Sequence, residues 1–406
     1  MMKEVFILSA ARTPFGRFGG SLKGFDYFEL GAMPIREVLA RIGHDGKVVD
    51  EVFWGVGDTS VCKDVYTPVA ARQTLLAAGL PAGTPSISLD KACVSAMSAV
   101  QLGWRAMRCG DIEVAIGGGA TSFSREPFVL RKGRFEGFRM GNVELEDPLY
   151  RLGYKDFNPV ATDSGVVALK HGISREEQDE WALRSHRNYG RAWAEGKFKE
   201  EMIPLQITQQ DGKTKVLDVD EQYRPDVTLD RLAKLPCIYG SPTVTAGNSP
   251  GLNDGATAIL FSTKKAADRI GVIPLAAVLG MVSVAKEPNL LPEAPALAIE
   301  RVLDQTGLTL DDMNVIEINE AFAAVPLVST KMLAERYYGG DGNKLRSLRE
   351  RTNTNGSAIS IGHPNTASGA RIIMTLCYEL RRRGGGIALG AICGGLAQAD
   401  ACIIKV

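Results

Sequence analysis

Residues 87–119 read ISLDKACVSAMSAVQLGWRAMRCGDIEVAIGGG, and residues 357–395 read SAISIGHPNTASGARIIMTLCYELRRRGGGIALGAICGG. Both give strand, turn, helix and strand in the same sequence, and both close on glycines. An earlier pair keeps the same order. IREVLARIGHDGKVVDEVFWG at 35–55 and AIERVLDQTGLTLDDMNVIEINE at 298–320 each give an amphipathic helix followed by a short apolar strand, the helices ending at Gly43 and Gly307. Two matches in one order mark an internal duplication. With 44 glycines and alternating strand and helix patterns, the chain reads as α/β, two homologous halves packed about a pseudo-dyad.

Between the halves the rhythm breaks. RKGRFEGFRMGNVELEDP at 131–148 is polar and punctuated by glycine. The helix SREEQDEWALRSHRNYGRAWAEG that follows begins with Ser174 and Glu177 at capping-box spacing. The expected organisation is a first half over 1–120, completed by about 245–268, a covering insert over 121–244, and a second half over 269–406.

Composition narrows the function. The 406 residues are 45% hydrophobic and 23% charged, enough to bury a large core. Forty-seven basic residues balance 47 acidic ones, which argues against a nucleic-acid surface and leaves room only for a local cluster that takes a phosphorylated cofactor. No apolar run reaches the roughly 18 residues of a membrane span. The start lacks a cleavage pattern and the end lacks a peroxisomal address, so a cytoplasmic enzyme is expected. Seven cysteines occur without a C-x-x-C pair and with only four histidines, so neither zinc nor a disulfide framework is expected.

The duplication places chemistry. Ile87 and Leu89 alternate as a buried strand would, then the charged pair Asp90-Lys91 interrupts, and Cys93 opens the helix. A thiol at a helix N-terminus feels the positive end of the dipole, which lowers its pKa and favours thiolate. The equivalent loop of the second half carries His363 between Gly362 and Pro364, a rigid setting that a surface histidine does not require. An imidazole near Cys93 takes its proton. His44, His171 and His186 lie in contexts that read as solvated. Cys393 ends the second half's strand among glycines; it is either a packed strand-end residue or a second acid/base thiol beside free N–H groups. Asn319 and Glu320 stand at another strand end, either as helix caps or as ligands of a water or carbonyl oxygen.

Together these blocks resemble the thiolases: Cys93 in DKACVSAMSAV, TAGNSPGLNDGA, NEAF at 319–322, GHP at 362–364 with SGAR at 368–371, and Cys393 in AICGG. The resemblance runs from AARTPFGRFGGSLKG to the end of the chain. It implies two βαβαβαββ halves in a five-layered α-β-α-β-α body, with the insert as a loop domain that binds coenzyme A. It implies that Cys93 takes the acyl group, His363 activates it, and Cys393 handles the α-proton. Asn319, through a water and with His363, forms one oxyanion hole; the N–H groups of Cys93 and Gly395 form the other. Ser249 and Arg224 are the implied coenzyme A contacts. The reaction is thiolysis of a 3-oxoacyl-CoA or the reverse condensation, with coenzyme A as substrate, no metal and no bound redox cofactor. A homodimer or homotetramer is implied, and an accessory subunit stays open.

Several positions depart from the family pattern. Val94 and Ala96 replace small residues after Cys93, Pro250 replaces a serine, and Leu396-Ala397 interrupt a glycine run. Val160 stands where a pocket methionine is usual, and Asn365-Thr366 follow GHP as an expected polar wall. The expectation is an active enzyme with an unusual acyl group. Two rivals stand beside it: a ketoacyl-synthase-type condensing enzyme, which places histidine where Asn319 and Cys393 stand, and a thiolase-like subunit or lipid carrier with little turnover.

Overall fold

In the computed structural model, which describes residues 3–57, 68–130, 133–150, 154, 156–208 and 212–406, four strands of each half correspond, but SAISI, read as a strand, forms the helical turn Ala358–Ile361. Cys62 lies outside the described residues. In the first half Val5–Arg12 runs antiparallel to Asn253–Thr263, and that strand runs antiparallel to Val114–Thr121. Val114–Thr121 is in turn parallel to Glu51–Gly55. In the second half Ala276–Ala285, Gln398–Lys405, Ile387–Gly394 and Val315–Ile318 repeat that order and those directions. Val5 and Ile7 pair with Val278 and Ala276, so the halves join edge to edge at the dyad.

Alternation along the strands builds the layers. Val52 and Trp54 face a core shared with the helices Tyr27–Ala40 and Ala70–Ala78, while Phe53 points to the other side. Ile316 and Ile318 likewise face the helices Ala294–Thr306 and Ala324–Tyr338, while Val315 points inward. The inward side chains of both halves share one core with the helices Ser95–Cys109 and Ser368–Arg382. The second of these is buried continuously from Ser368 to Leu380, as a helix between two sheets must be. The result is five layers: helix, sheet, helix, sheet, helix.

The strand that leads to Cys93 also differs from its reading. Ser86–Leu89 is an edge strand, paired among the described residues with Glu51–Gly55 alone, and Ile87 stays 44% exposed. Alternation reports two-sidedness, and it cannot report whether a strand has one neighbour or two.

The insert contains the helix Arg175–Ala194, capped reciprocally by Ser174 and Glu177 as expected. A buried ion network fastens it to the body. Arg12, fully buried at the end of the first strand, forms a bidentate pair with Asp220 at 2.6 and 2.9 Å, and Glu201 lies 3.6 Å away. Tyr189 and the Phe15 N–H also donate to Asp220. Arg12→Met is expected to destabilise the protein by about 3–5 kcal/mol, because it strands two buried carboxylates. A urea midpoint shift worth less than about 1 kcal/mol would show that other contacts hold the insert. Among the described residues no helix is long and apolar enough to cross a membrane, and no side-chain group is arranged to hold a metal ion.

Candidate active site

Cys93 sits in a single 3-10 turn, Ala92–Val94, between the edge strand and the helix Ser95–Cys109. Ala92 has φ 50°, the left-handed region that a residue with a β-carbon occupies at a cost of order 1–3 kcal/mol. Its neighbours hold it there. The Ala92 N–H donates to Asp90 Oδ1 at 2.9 Å, the Lys91 N–H donates to Ser95 Oγ at 2.8 Å, and Ser95 Oγ donates to the Ala92 carbonyl at 2.6 Å. Lys91 Nζ donates to Asp400 at 2.7 Å and Ser283 at 2.6 Å, both in the second half, and to Ser98 at 3.0 Å. The charge pair that interrupts the apolar run is thus the clamp on the cysteine turn.

His363 meets Cys93 across the dyad, with Nε2 3.1 Å from Sγ. Gly362 before it has φ +109°, and a β-carbon there would come within 2.9 Å of Asn253 Cγ, so only glycine allows the turn. The His363 N–H donates to Asn253 Oδ1 at 2.9 Å. On the ring's far side Nδ1 lies 2.7 Å from Ser368 Oγ, and that hydroxyl donates its proton to the Pro364 carbonyl at 2.9 Å. Ser368 can therefore only accept from the imidazole. This assigns the proton to Nδ1 and turns the Nε2 lone pair toward the thiol.

The charge state differs from the sequence expectation. Burial pushes the Cys93 thiol up to about 12, against a smaller opposing contribution from its own backbone N–H, and Asp90 adds to the rise. Burial, and then Arg371, push His363 down to about 3. At rest the pair is a neutral thiol and a neutral imidazole; desolvation outweighs a one-turn helix start. Alkylation of Cys93 by iodoacetamide should therefore keep accelerating between about pH 6 and 9, as thiolate forms only toward alkaline pH. Peptide mapping separates Cys93 from the exposed Cys109 and Cys237. A plateau reached near neutrality would instead report a thiolate–imidazolium pair.

Cys393 is fully buried opposite Ala399 in the sheet ladder. Burial raises its thiol well above the ordinary value, and Cys93 is the next contributor, so the two sulfurs lie close enough to interact. Gly394 and Gly395 after it pack on the cysteine turn: β-carbons there would stand 3.0 Å from the Lys91 carbonyl and 3.1 Å from Ala92 Cβ. Leu396 and Ala397, which interrupt the family's glycine run, both hold φ 56°, a glycine-like backbone. The Lys286 N–H, donating to the Ala397 carbonyl at 3.0 Å, helps fix it.

Asn319 is fully buried at the end of Val315–Ile318. Its Oδ1 accepts from Arg371 at 3.4 Å, while Nδ2 has no partner among the described residues. Arg371 pairs with Glu317 at 2.5 Å and also depresses His363, so one guanidinium bears on both the amide and the imidazole. Glu320 is no simple cap: it accepts from Trp181, Ser185 and Asn353 and from the Ile359 N–H.

Other expectations fare differently. Thr366 is buried; its hydroxyl bonds to Thr121 at 3.0 Å and donates to the Ala120 carbonyl, stitching the halves together. Val160 begins the helix Val160–Lys170 and packs against the core that contains Cys393. Ser249 is buried, with its hydroxyl donating to the Thr245 carbonyl at 2.6 Å, while Arg224 is exposed on the insert. Neither hydrogen-bonds to the cysteine–histidine cluster among the described residues. His186 is buried, not solvated, and accepts from the Arg224 N–H at 3.3 Å; burial, with Arg224, lowers it to about 4. His171 is bound to Glu293 at 2.9 Å. Sequence reading missed Ser368, Arg371 and the Lys91–Asp400 clamp. The SGAR block marked the first two, without a role.

The family models for the thiolase N-terminal and C-terminal domains match residues 5–265 and 272–406. The chain belongs to the thiolase family. It is 37% identical over 414 residues to the beta-ketoadipyl-CoA thiolase of Pseudomonas aeruginosa, covering 100% of both chains. It is 39% identical over 404 residues to the acetyl-CoA acetyltransferase of Chromobacterium violaceum, covering 98% of each. The human mitochondrial 3-ketoacyl-CoA thiolase superposes with a TM-score of 0.91 at 35% identity and 99% coverage of both chains; its complex with CoA gives 0.90. This thiolase is accordingly an acyltransferase of CoA thioesters, and the ketoacyl-synthase reading falls away.

Proposed function

We propose that this thiolase cleaves a 3-oxoacyl-CoA with free CoA, or runs the reverse condensation, through an acyl group carried on Cys93. The observation that carries the proposal is the 3.1 Å contact between Cys93 Sγ and His363 Nε2, with the lone pair aimed by Ser368. His363 takes the thiol proton as sulfur attacks the 3-oxo carbon. The C2–C3 bond then breaks, leaving acetyl-CoA as its enolate, and Cys393 delivers a proton to that carbon. Free CoA attacks the acyl-Cys93 thioester, its own proton going to the Cys393 thiolate, and Cys93 regains the proton held by His363. A thiol kept protonated by burial suits a donor, and an α-carbon is too weak an acid to give up its proton without support at the developing oxyanion. The unpartnered Asn319 Nδ2 and the newly formed His363 Nε2–H support an enolate oxygen from one side. The N–H groups of Cys93 and Gly395 support the acyl carbonyl from the other.

The insert over 121–244 covers the site and holds CoA in this reading. Arg224 offers an exposed cation to its phosphates; Ser249, its proton already given to Thr245, offers only an acceptor. A homodimer or homotetramer belongs to the same proposal. It is supported by the edge strand Ser86–Leu89, whose ladder is open on one side among the described residues. A cytoplasmic location is proposed because six cysteines among the described residues are free.

The test mixes acetoacetyl-CoA, the enzyme and free CoA, follows loss of the 3-oxoacyl thioester, and looks for an acyl adduct on Cys93 by peptide mass. Turnover with an adduct supports the assignment. Neither turnover nor adduct would mean a carrier-like protein.

A further inference from the structure

One side chain at the two cysteines has no role in that scheme. Tyr154 comes from the insert, yet its hydroxyl reaches the turn that follows Cys393. A β-carbon built on Gly395 would collide with Tyr154 Oη, stand 2.8 Å from its Cζ and lie 3.1 Å from Ala92 Cβ. The hydroxyl therefore rests on the Gly395 Cα with Ala92, the residue before Cys93, on its other flank. Glycine is needed at 395 to admit it. Burial first, and then the nearby Cys93, Asp90 and Cys393, keep the phenol protonated far above neutrality, so it remains a donor near both sulfurs. Among the described residues the hydroxyl has no hydrogen-bond partner. The residue is 38% exposed, so the ring covers the Gly395 turn without being locked in the core.

The oxygen of a thioester on Cys93 has to point toward donors on the Cys93 and Gly395 turns, and Tyr154 Oη stands between these turns. We propose that Tyr154 donates a third hydrogen bond to the carbonyl oxygen of acyl-Cys93. The inference rests on the acyl-Cys93 reading above and adds a residue from the insert to it. Breaking down acyl-Cys93 concentrates negative charge on that oxygen, so a donor already aimed at it lowers the barrier without reorganisation. It also ties the chemistry to the insert: the hole is complete only when the insert is seated.

The experiment compares wild type with Tyr154→Phe, which keeps the ring and removes only the donor. Both are loaded with acetyl-CoA labelled with 13C at the carbonyl, and the thioester stretch of acyl-Cys93 is read by isotope-edited infrared spectroscopy beside kcat. A wild type that forms no acyl-Cys93 would refute the proposed function, and this inference with it, before the variant is considered. Given that adduct, Tyr154→Phe should shift the stretch to higher frequency. One preorganised donor is worth about 10²–10³ in kcat, and part-exposed Tyr154 should give about 10- to 100-fold. An unchanged stretch overturns the proposal whatever kcat does, because a structural role alone would not move it. A kcat within about twofold of wild type overturns it as well.

Discussion

Cys393→Ser is expected to lower kcat for thiolysis by about 10²–10⁴-fold, the usual worth of a positioned acid/base, while acyl-Cys93 still forms and is seen by intact mass. Serine fits the space, since Cys393 is buried in a sheet ladder and a hydroxyl is smaller than a thiol. Its pKa is far higher, so it protonates a carbanion-like carbon slowly and does not return the proton at a useful rate. The acyl group should still reach Cys93, since His363, in contact with that sulfur at 3.1 Å, is the proposed acceptor of its proton. Single-turnover measurements separate the two halves of the reaction: transfer from acetyl-CoA to Cys93 should survive, because CoA can leave as a thiolate without a proton from position 393, whereas carbon–carbon bond making or breaking, which needs a proton at carbon, should not. Turnover within about threefold of wild type would leave Cys393 as a packing residue and require another acid.

The second large effect belongs to His363→Asn. The amide has no basic lone pair to accept the thiol proton, and a sulfur raised to about 12 does not ionise unaided. Acylation of Cys93 should fall by about 10²–10⁴-fold and regain part of its rate toward alkaline pH. Ser368→Ala offers the contrast. It leaves the base in place and releases only its tautomer, a hydrogen bond worth about 0.5–1.5 kcal/mol, so a loss of roughly 2- to 10-fold is expected. A Ser368→Ala defect as deep as that of His363→Asn would contradict the assigned tautomer.

The layers were legible because each half repeats one pattern of strand and helix, and the side chains at Val52, Phe53 and Trp54 follow it. Cys93, His363, Cys393 and Asn319 were legible as residue types at strand ends. Their protonation states were not. The helix-start argument for Cys93 was locally sound, yet burial decides the thiol's charge, and burial is a property of the whole fold. Thr366 shows the same limit. Its partner Thr121 lies 245 residues away, and no local pattern reports that. His186 looked solvated because its helix is rich in charge, and the segment that buries it, around Tyr223 and Arg224, comes later in the chain. Lys91 did carry a signal, a charge in an apolar run, without naming Asp400 as the reason.

The cysteine and the histidine that touch at 3.1 Å are separated by 270 residues of chain. During synthesis Cys93 emerges long before His363, and at about 5–20 residues per second the ribosome needs many seconds to supply it. Through that interval the first half presents a sulfur without its base, and a fragment that stops short of the second half never acquires it. Acyl transfer is therefore withheld from incomplete chains by connectivity alone, with no inhibitor or propeptide. It also makes the gain of activity during refolding a clock for the last docking event, the closing of one half on the other.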